Sequence, residues 1–218
     1  MALVTDAFPR ASSCRPMEPD LHRLGSDAFI WQRYNPSVKA EFFSTALNNR
    51  AGTSLIDPTP LSDELLAPAL GEHRIAGVFV TNANHARAAA AFSTRFAVPI
   101  FAQAAAGAEI NEAAVTAVHD GDTHLGLQVV ALDGAAVGEI ALYSSDGAGT
   151  VVIGDAVINF GSNGFALLPA KYCENSRLLP KSLRKLLTLK FERMLFAHGT
   201  PILSGARAKL AELLDASR

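Results

Sequence analysis

The sequence predicts an α/β fold, α+β in the wider sense, in which two mixed β-sheets face each other with helices on their outer faces. Three observations carry this. His73 to Ala102 has the length and pattern of a strand–helix–strand unit, which implies parallel pairing and a right-handed crossover. The chain falls into two β-rich halves, each followed by helical segments. Apolar residues make up 49% of 218 positions and charged ones 18%, which suits a compact chain with a sizeable core.

The first twenty residues are polar and rich in Pro and Ser, and read as a loosely packed arm before a single domain spanning 21–218. They lack a basic start followed by an apolar block, so no signal peptide is expected. Ala28 to Tyr34 reads as a strand, ended by a turn at Pro36. Lys39 to Leu47 reads as a second, because Phe42, Phe43 and Thr45 favour extended backbone. After the turn cluster Asn48 to Gly52, Thr53 to Ile56 forms a short strand ending at Asp57-Pro58. Leu61 to Leu70 has helical spacing, with Pro68 expected to end or bend it. Ile75 to Val80 is the central strand, Ala88 to Phe96 an alanine-rich helix, and Val98 to Ala102 the next strand.

The second half opens with the strands Ala114 to His119 and Leu125 to Leu132. Gly138 to Tyr143 and Thr150 to Ile153 flank a Ser144–Gly149 turn, as in a hairpin. Ala156 to Ser176 reads as a long connection, rich in Gly, Asn and Pro. Pro180 to Leu189 is a basic amphipathic helix, read as a solvated face. Met194 to Ala197 is a last strand, and Leu203 to Ala216 a terminal helix.

A formal net charge of −2 gives no electrostatic case for nucleic acid or an anionic membrane. No apolar run approaches the ~20 residues of a membrane span. The two cysteines, Cys14 and Cys173, lie in no metal-binding or disulfide pattern, which fits a reduced, cytoplasmic setting.

The chemistry-bearing residues sit at strand ends. Thr81 to Arg87 (TNANHAR) is a polar hinge between the central strand and its helix, where backbone N–H groups are free. Asp57 follows the strand SLI, Gly138-Glu139 opens another, Asp155 follows TVVI, and His198 follows the last. This order and spacing resemble the metallo-β-lactamase superfamily, from about Ala28 to the C-terminus. The resemblance implies a four-layer αβ/βα sandwich and a two-metal hydrolase site. In that family the hinge reads T-H-x-H-x-D-H; here Asn82, Asn84, Ala86 and Arg87 stand at the ligand positions. A further family histidine falls at Ala135. Asp155 matches the bridging aspartate, His198 the last histidine, and Asp57 an early supporting aspartate.

The resemblance therefore implies the fold with its metal chemistry largely removed. Arg87 is expected in the pocket as the counter-ion of Asp155 and Asp57, in place of the cation. His85 occupies a spacer position and reads as a polar loop histidine that can also join Asp155 and His198 around a metal. Asn82 and Asn84 read equally as helix caps or pocket residues.

Two functions follow. One is a metal-dependent hydrolase of unknown substrate with a reduced site on Asp155, His198 and His85. The other is a non-catalytic binding or scaffold protein, with Arg87 filling the metal's place and taking a small anionic molecule. No cofactor is expected, and zinc or another divalent metal only at low occupancy. A homo-oligomer stays open.

Overall fold

The computed structural model describes residues 19–37, 39–110, 114–160 and 164–217. Most of the expected N-terminal arm, residues 1–18, lies outside them. Asp20–Arg23 forms β1, an edge strand, so the first sheet begins at the arm's last residue.

β1 pairs antiparallel with β2 (Ala28–Asn35), β2 with β3 (Ala40–Asn49), and β3 with β4 (Gly52–Ile56). The sheet then turns parallel through β5 (Ile75–Val80), β6 (Ile100–Ala102) and β7 (Val115–Ala117), making seven strands in chain order. The parallel β5–β6 pair, with α2 (Ala89–Phe96) between its strands, is the expected crossover unit. β7 differs from expectation. It closes the first sheet instead of opening the second, because the four-residue helix α3 (Ala104–Gly107) returns the chain beside β6. Helix α1 (Asp63–Leu70) runs through Pro68, and Gly71 closes it by donating to Ala67 O.

The second sheet contains β8 (Thr123–His124), β9 (Leu127–Ala131), β10 (Ile140–Ser144) and β11 (Thr150–Ile153), all antiparallel. β14 (Arg193–Phe196) joins it parallel to β11. The long connection holds a two-stranded ribbon, β12 (Val157–Asn159) with β13 (Phe165–Leu167). The basic segment is α4 (Leu179–Leu183) running into a 3-10 turn, and α5 (Ala206–Ala216) follows β14. Two basic side chains of the α4 segment are paired, Arg184 with Asp215, and Lys185 with Asp120 and Asp133.

Three apolar layers alternate with the elements. Phe79, Phe101, Leu127, Ile140, Leu142 and Leu195 fill the space between the sheets. Leu66 and Phe92 pack the first pair of helices onto sheet one, and Leu183, Leu210 and Leu214 pack the last pair onto sheet two. The order is helix, sheet, sheet, helix, a four-layer sandwich. No helix among the described residues is long and apolar enough to cross a membrane.

The two sheets are stitched at both ends of β14. Phe43 N donates to Ala197 O at 3.0 Å, and the Arg193 guanidinium grips the Asp27 carboxylate. The Phe43–Ala197 end of this seam lies beside the C-terminal ends of β4, β5, β11 and β14, and the polar strand-end residues converge there.

Candidate active site

The centre of the cluster is His85. A 3-10 turn over Ala83–His85 follows β5, and Asn82 caps it by accepting from Asn84 N at 2.9 Å. That tight turn points Asn84 outward and buries Asn82 and His85. His85 is 2% exposed, not a polar loop residue. Its Nδ1 lies 2.9 Å from Asp57 Oδ2 and 2.9 Å from Thr81 Oγ1; its Nε2 lies 3.3 Å from Asp155 Oδ1.

His198, just past β14, is held in the same way. Its Nδ1 lies 3.1 Å from the Glu41 carbonyl, and its Nε2 lies 3.2 Å from Asp155 Oδ1. A ring N–H bonded to a carbonyl or carboxylate leaves the other nitrogen as a lone-pair donor. Both imidazoles thus aim Nε2 at one oxygen of Asp155. The ligand atoms of His85, Asp155 and His198 all lie within 4.8 Å of one another. Two imidazoles and a carboxylate suit zinc or iron, and separations of 3.2 and 3.3 Å fit donors sharing a cation at bonds of about 2.0–2.1 Å. These residues fit a single cation. Asn82, Asn84 and Ala135 offer no strong ligand for a second.

Asp57 ends β4 with φ 49°, in the left-handed region. Its carboxylate accepts from Thr81 N at 2.8 Å and Thr81 Oγ1 at 2.5 Å as well as meeting His85. Burial works to raise its pKa, but His85, Arg87 and Thr81 together hold it below the usual range. Burial also opposes the charge on Asp155, yet His85 and His198 keep its carboxyl well below that range. For His85, burial and the Arg87 charge favour the neutral ring, but Asp57 and Asp155 outweigh them and raise the pKa to about 9.

Arg87 acts on Asp57 through its charge, but the direct pairing expected of it is corrected by its contacts. Nη1 donates to the backbone carbonyls of Phe43 at 2.7 Å and Asp57 at 3.1 Å. The guanidinium makes no ion pair with either carboxylate among the described residues, and lies over the Phe42 ring at 4.5 Å. The basic side chain that touches both Asp57 and Asp155 is His85. The reason is steric: Arg87 follows the turn with φ 37°, which directs its long side chain toward β3.

Glu139 marks a strand start in the sequence, with no role in the site expected of it. It is 4% exposed, accepts from Ala156 N at 3.1 Å and from Asn82 Nδ2 at 2.7 Å. Asn82 Nδ2 also reaches Asp155 Oδ2 at 3.2 Å, so Glu139 braces the Asp155 loop from two sides. Burial first, and then the Asp155 charge, raise its pKa to about 8. One signal was available: a lone carboxylate in the apolar run GEIALY. Tyr172, 60% exposed, stacks under Lys171 and contributes nothing to the cluster.

Comparison with known proteins agrees with this architecture. Among solved structures, the chain is similar to the DIM-1 metallo-beta-lactamase at 14% identity, covering 92% of this chain and 99% of that one with a TM-score of 0.71. It is similar to TTHA1623 in a di-iron-bound form at 23% identity, covering 81% and 95% with a TM-score of 0.62. A metallo beta lactamase from Erythrobacter litoralis, at 13% identity, covers 92% of this chain and 97% of its own with a TM-score of 0.69. At such identities the likeness establishes the fold alone. No curated protein matches by sequence. The family model described as Metallo-beta-lactamase superfamily matches residues 19–217, and the chain belongs to that superfamily.

Proposed function

We propose that the protein is a cytoplasmic hydrolase working from a single-cation site on His85, Asp155 and His198. One observation carries the reading: two histidines, each pinned through Nδ1, present Nε2 to the same carboxylate oxygen. TTHA1623, a relative in fold, is described in a di-iron-bound form. When bound, a divalent cation supplies Lewis-acid polarisation and lowers the pKa of water.

The chain's own residues do the rest. Asp57 and the Glu41 carbonyl fix the two imidazole tautomers. Asn82 and Glu139 hold the Asp155 carboxylate in register with both rings. Burial and the Asp155 charge favour the protonated form of the Glu139 carboxyl, beside the cluster. His85 must release a proton before Nε2 can serve as a ligand.

A second reading is favoured by one observation, the raised pKa of His85. Its imidazolium can balance Asp57 and Asp155 without any metal, which leaves a non-catalytic binding protein with His85, not Arg87, as the resident cation. Metal analysis of purified protein decides. Near-stoichiometric zinc, iron or manganese that is lost in His198→Ala supports the hydrolase. A metal-free, fully folded protein that takes up none on dialysis sinks it.

A further inference from the structure

The edge of the sandwich opposite β14 carries a second set of metal-ligating side chains, apart from His85, Asp155 and His198. There the chain leaves β7, the last strand of the first sheet, and crosses to β8, the outer strand of the second. The crossing is a tight turn. Asp122 N donates to the His119 carbonyl at 3.1 Å, and the Asp122 carboxylate accepts from His119 N at 2.8 Å. Asp122 and His124 lie two positions apart, and extended backbone puts such residues on one face. The spacing His-x-x-Asp-x-His thus returns both imidazoles to one carboxylate. Oδ2 of Asp122 lies 3.4 Å from His119 Nδ1 and 3.8 Å from His124 Nε2.

These separations exceed the about 2.7–3.2 Å usual for a hydrogen bond to nitrogen. They are closer to the spacing of donors around a tetrahedral zinc, about 3.3 Å for bonds of about 2.0–2.1 Å. Oδ2 of Asp122 uses one lone pair on His119 N and keeps another for an ion. Asp122 is fixed further by Val129 N, which donates to its carbonyl at 2.8 Å. The His124 ring lies 4.8 Å from Phe101, which stacks on Phe79 in the layer between the sheets. His119 is the movable member. Its side chain is 79% exposed, and a turn of its ring completes the three donors. Asp120 is kept off the ion, because it accepts from Ala131 N at 2.8 Å and pairs with Lys185.

We propose that His119, Asp122 and His124 hold a divalent cation, zinc or one of like ligand preference, which clips the two sheets together where the chain crosses between them. His119 directly follows the β7 ladder, which Val118 extends by donating to Ala102 O at 3.0 Å, while His124 belongs to β8. One ion therefore joins both sheets, at the edge opposite the stitches that flank β14. The role is structural and independent of the hydrolase reading. The exposed donors are less preorganised than His85 and His198, so this ion is the more weakly held. It leaves on dialysis, and the metal content of purified protein reports on the His85 cluster alone.

The test uses the full chain carrying His198→Ala, which disables the first cluster. Zinc is titrated by calorimetry and cobalt(II) by visible absorption. The expected result is one saturable site with a Kd of about 10 µM, together with cobalt bands of a low-coordinate site. His119→Ala, His124→Ala and Asp122→Asn should each weaken binding at least about tenfold. His22→Ala and His73→Ala, which alter histidines outside the triad, should change nothing. Saturating zinc should raise the Tm by several degrees, and His124→Ala should remove that rise. His119→Ala replaces an exposed side chain, so its effect on binding reads out even where the other two variants fold poorly. No saturation below ~1 mM, indifference to His119→Ala and His124→Ala, or an equal loss in His22→Ala would each overturn the proposal. A zinc-induced rise in Tm that survives His124→Ala would overturn it too. Failure here leaves the metal-content test of the first cluster standing, since the two sites share no residue.

Discussion

The Nδ1 atom of His85 lies 2.9 Å from Oδ2 of Asp57, with each side chain 3% exposed. A contact this enclosed is worth little as a net gain in stability, yet removing one partner strands the other charge. Asp57→Asn should therefore destabilise the protein by about 3–5 kcal/mol in urea unfolding. It should also weaken metal binding by about 10–100-fold, because the His85 ring loses its anchor. A change within about 1 kcal/mol would show that the pair is not held as described.

Stability of the metal-free protein should fall as pH rises. The pKa of His85 is raised from 6.5 to about 9, so its contribution is complete below 6.5 and lost by 9, on the order of 3 kcal/mol. Glu139, raised from 4.5 to about 8, pulls the same way over its own window. Asp57 and Asp155 are held down, so their contribution is present above 3.8 and lost as pH falls through their lowered values. Urea midpoints across pH 4 to 10 should show a long alkaline decline that His85→Gln makes shallower between 6.5 and 9, where Glu139 still contributes up to about 8. A flat wild-type profile would contradict the geometry.

Cation binding should release protons. At pH 7.5 the ring of His85, with a pKa of about 9, is mostly protonated and must become neutral to donate from Nε2. Zinc titrations in two buffers of different ionisation enthalpy should report roughly one proton released per ion. His85→Gln should abolish that release along with tight binding. Release of none in the wild type would remove His85 from the ligand set.

Gly154 is the tightest packing point beside Asp155. A Cβ there would sit 2.5 Å from Thr81 Oγ1, 2.7 Å from Glu139 Oε1 and 3.0 Å from Asn82 Nδ2, each fixed by hydrogen bonds. Gly154→Ala should cost about 1–3 kcal/mol and displace the Asp155 carboxylate. Thermal unfolding together with metal stoichiometry checks it. An unchanged metal content would show that the loop yields without moving the ligand.

Ala97 closes helix α2 with φ 52°, in the left-handed region where a side chain is strained. Ala97→Gly should stabilise by about 1 kcal/mol and leave metal content unchanged, as thermal unfolding and metal analysis would show.

Much of the fold was legible because its strands carry plain apolar runs. Ile75–Val80 and Thr150–Ile153 lie where their patterns put them. Val157–Asn159 and Phe165–Leu167 were hidden, since three residues are too few to show alternation. The sheet to which Val115–Ala117 belongs was hidden as well, because order along the chain does not reveal which edge is free. At the candidate site, Asp57, Asp155 and His198 stood out by ending strands. The inward direction of His85 did not, because it depends on a single 3-10 turn that rotates position 85 in and position 84 out. Glu139 lay inside an apolar strand, where a carboxylate looks like an exception until its two hydrogen-bond partners are seen.

The seam between the sheets also sets an order of events during synthesis. Arg193 reaches back 166 positions to Asp27, and His198 reaches back 157 to Glu41. Contacts so distant along the chain form late and slow the folding of the whole. On the ribosome, Asp57 and His85 are made in the first half of the chain, whereas Asp155 and then His198 follow later, His198 near the end. If the cluster takes up a cation as proposed, a nascent chain lacks two of its three ligands until the last strand docks, and uptake of the ion would report that the protein has been finished.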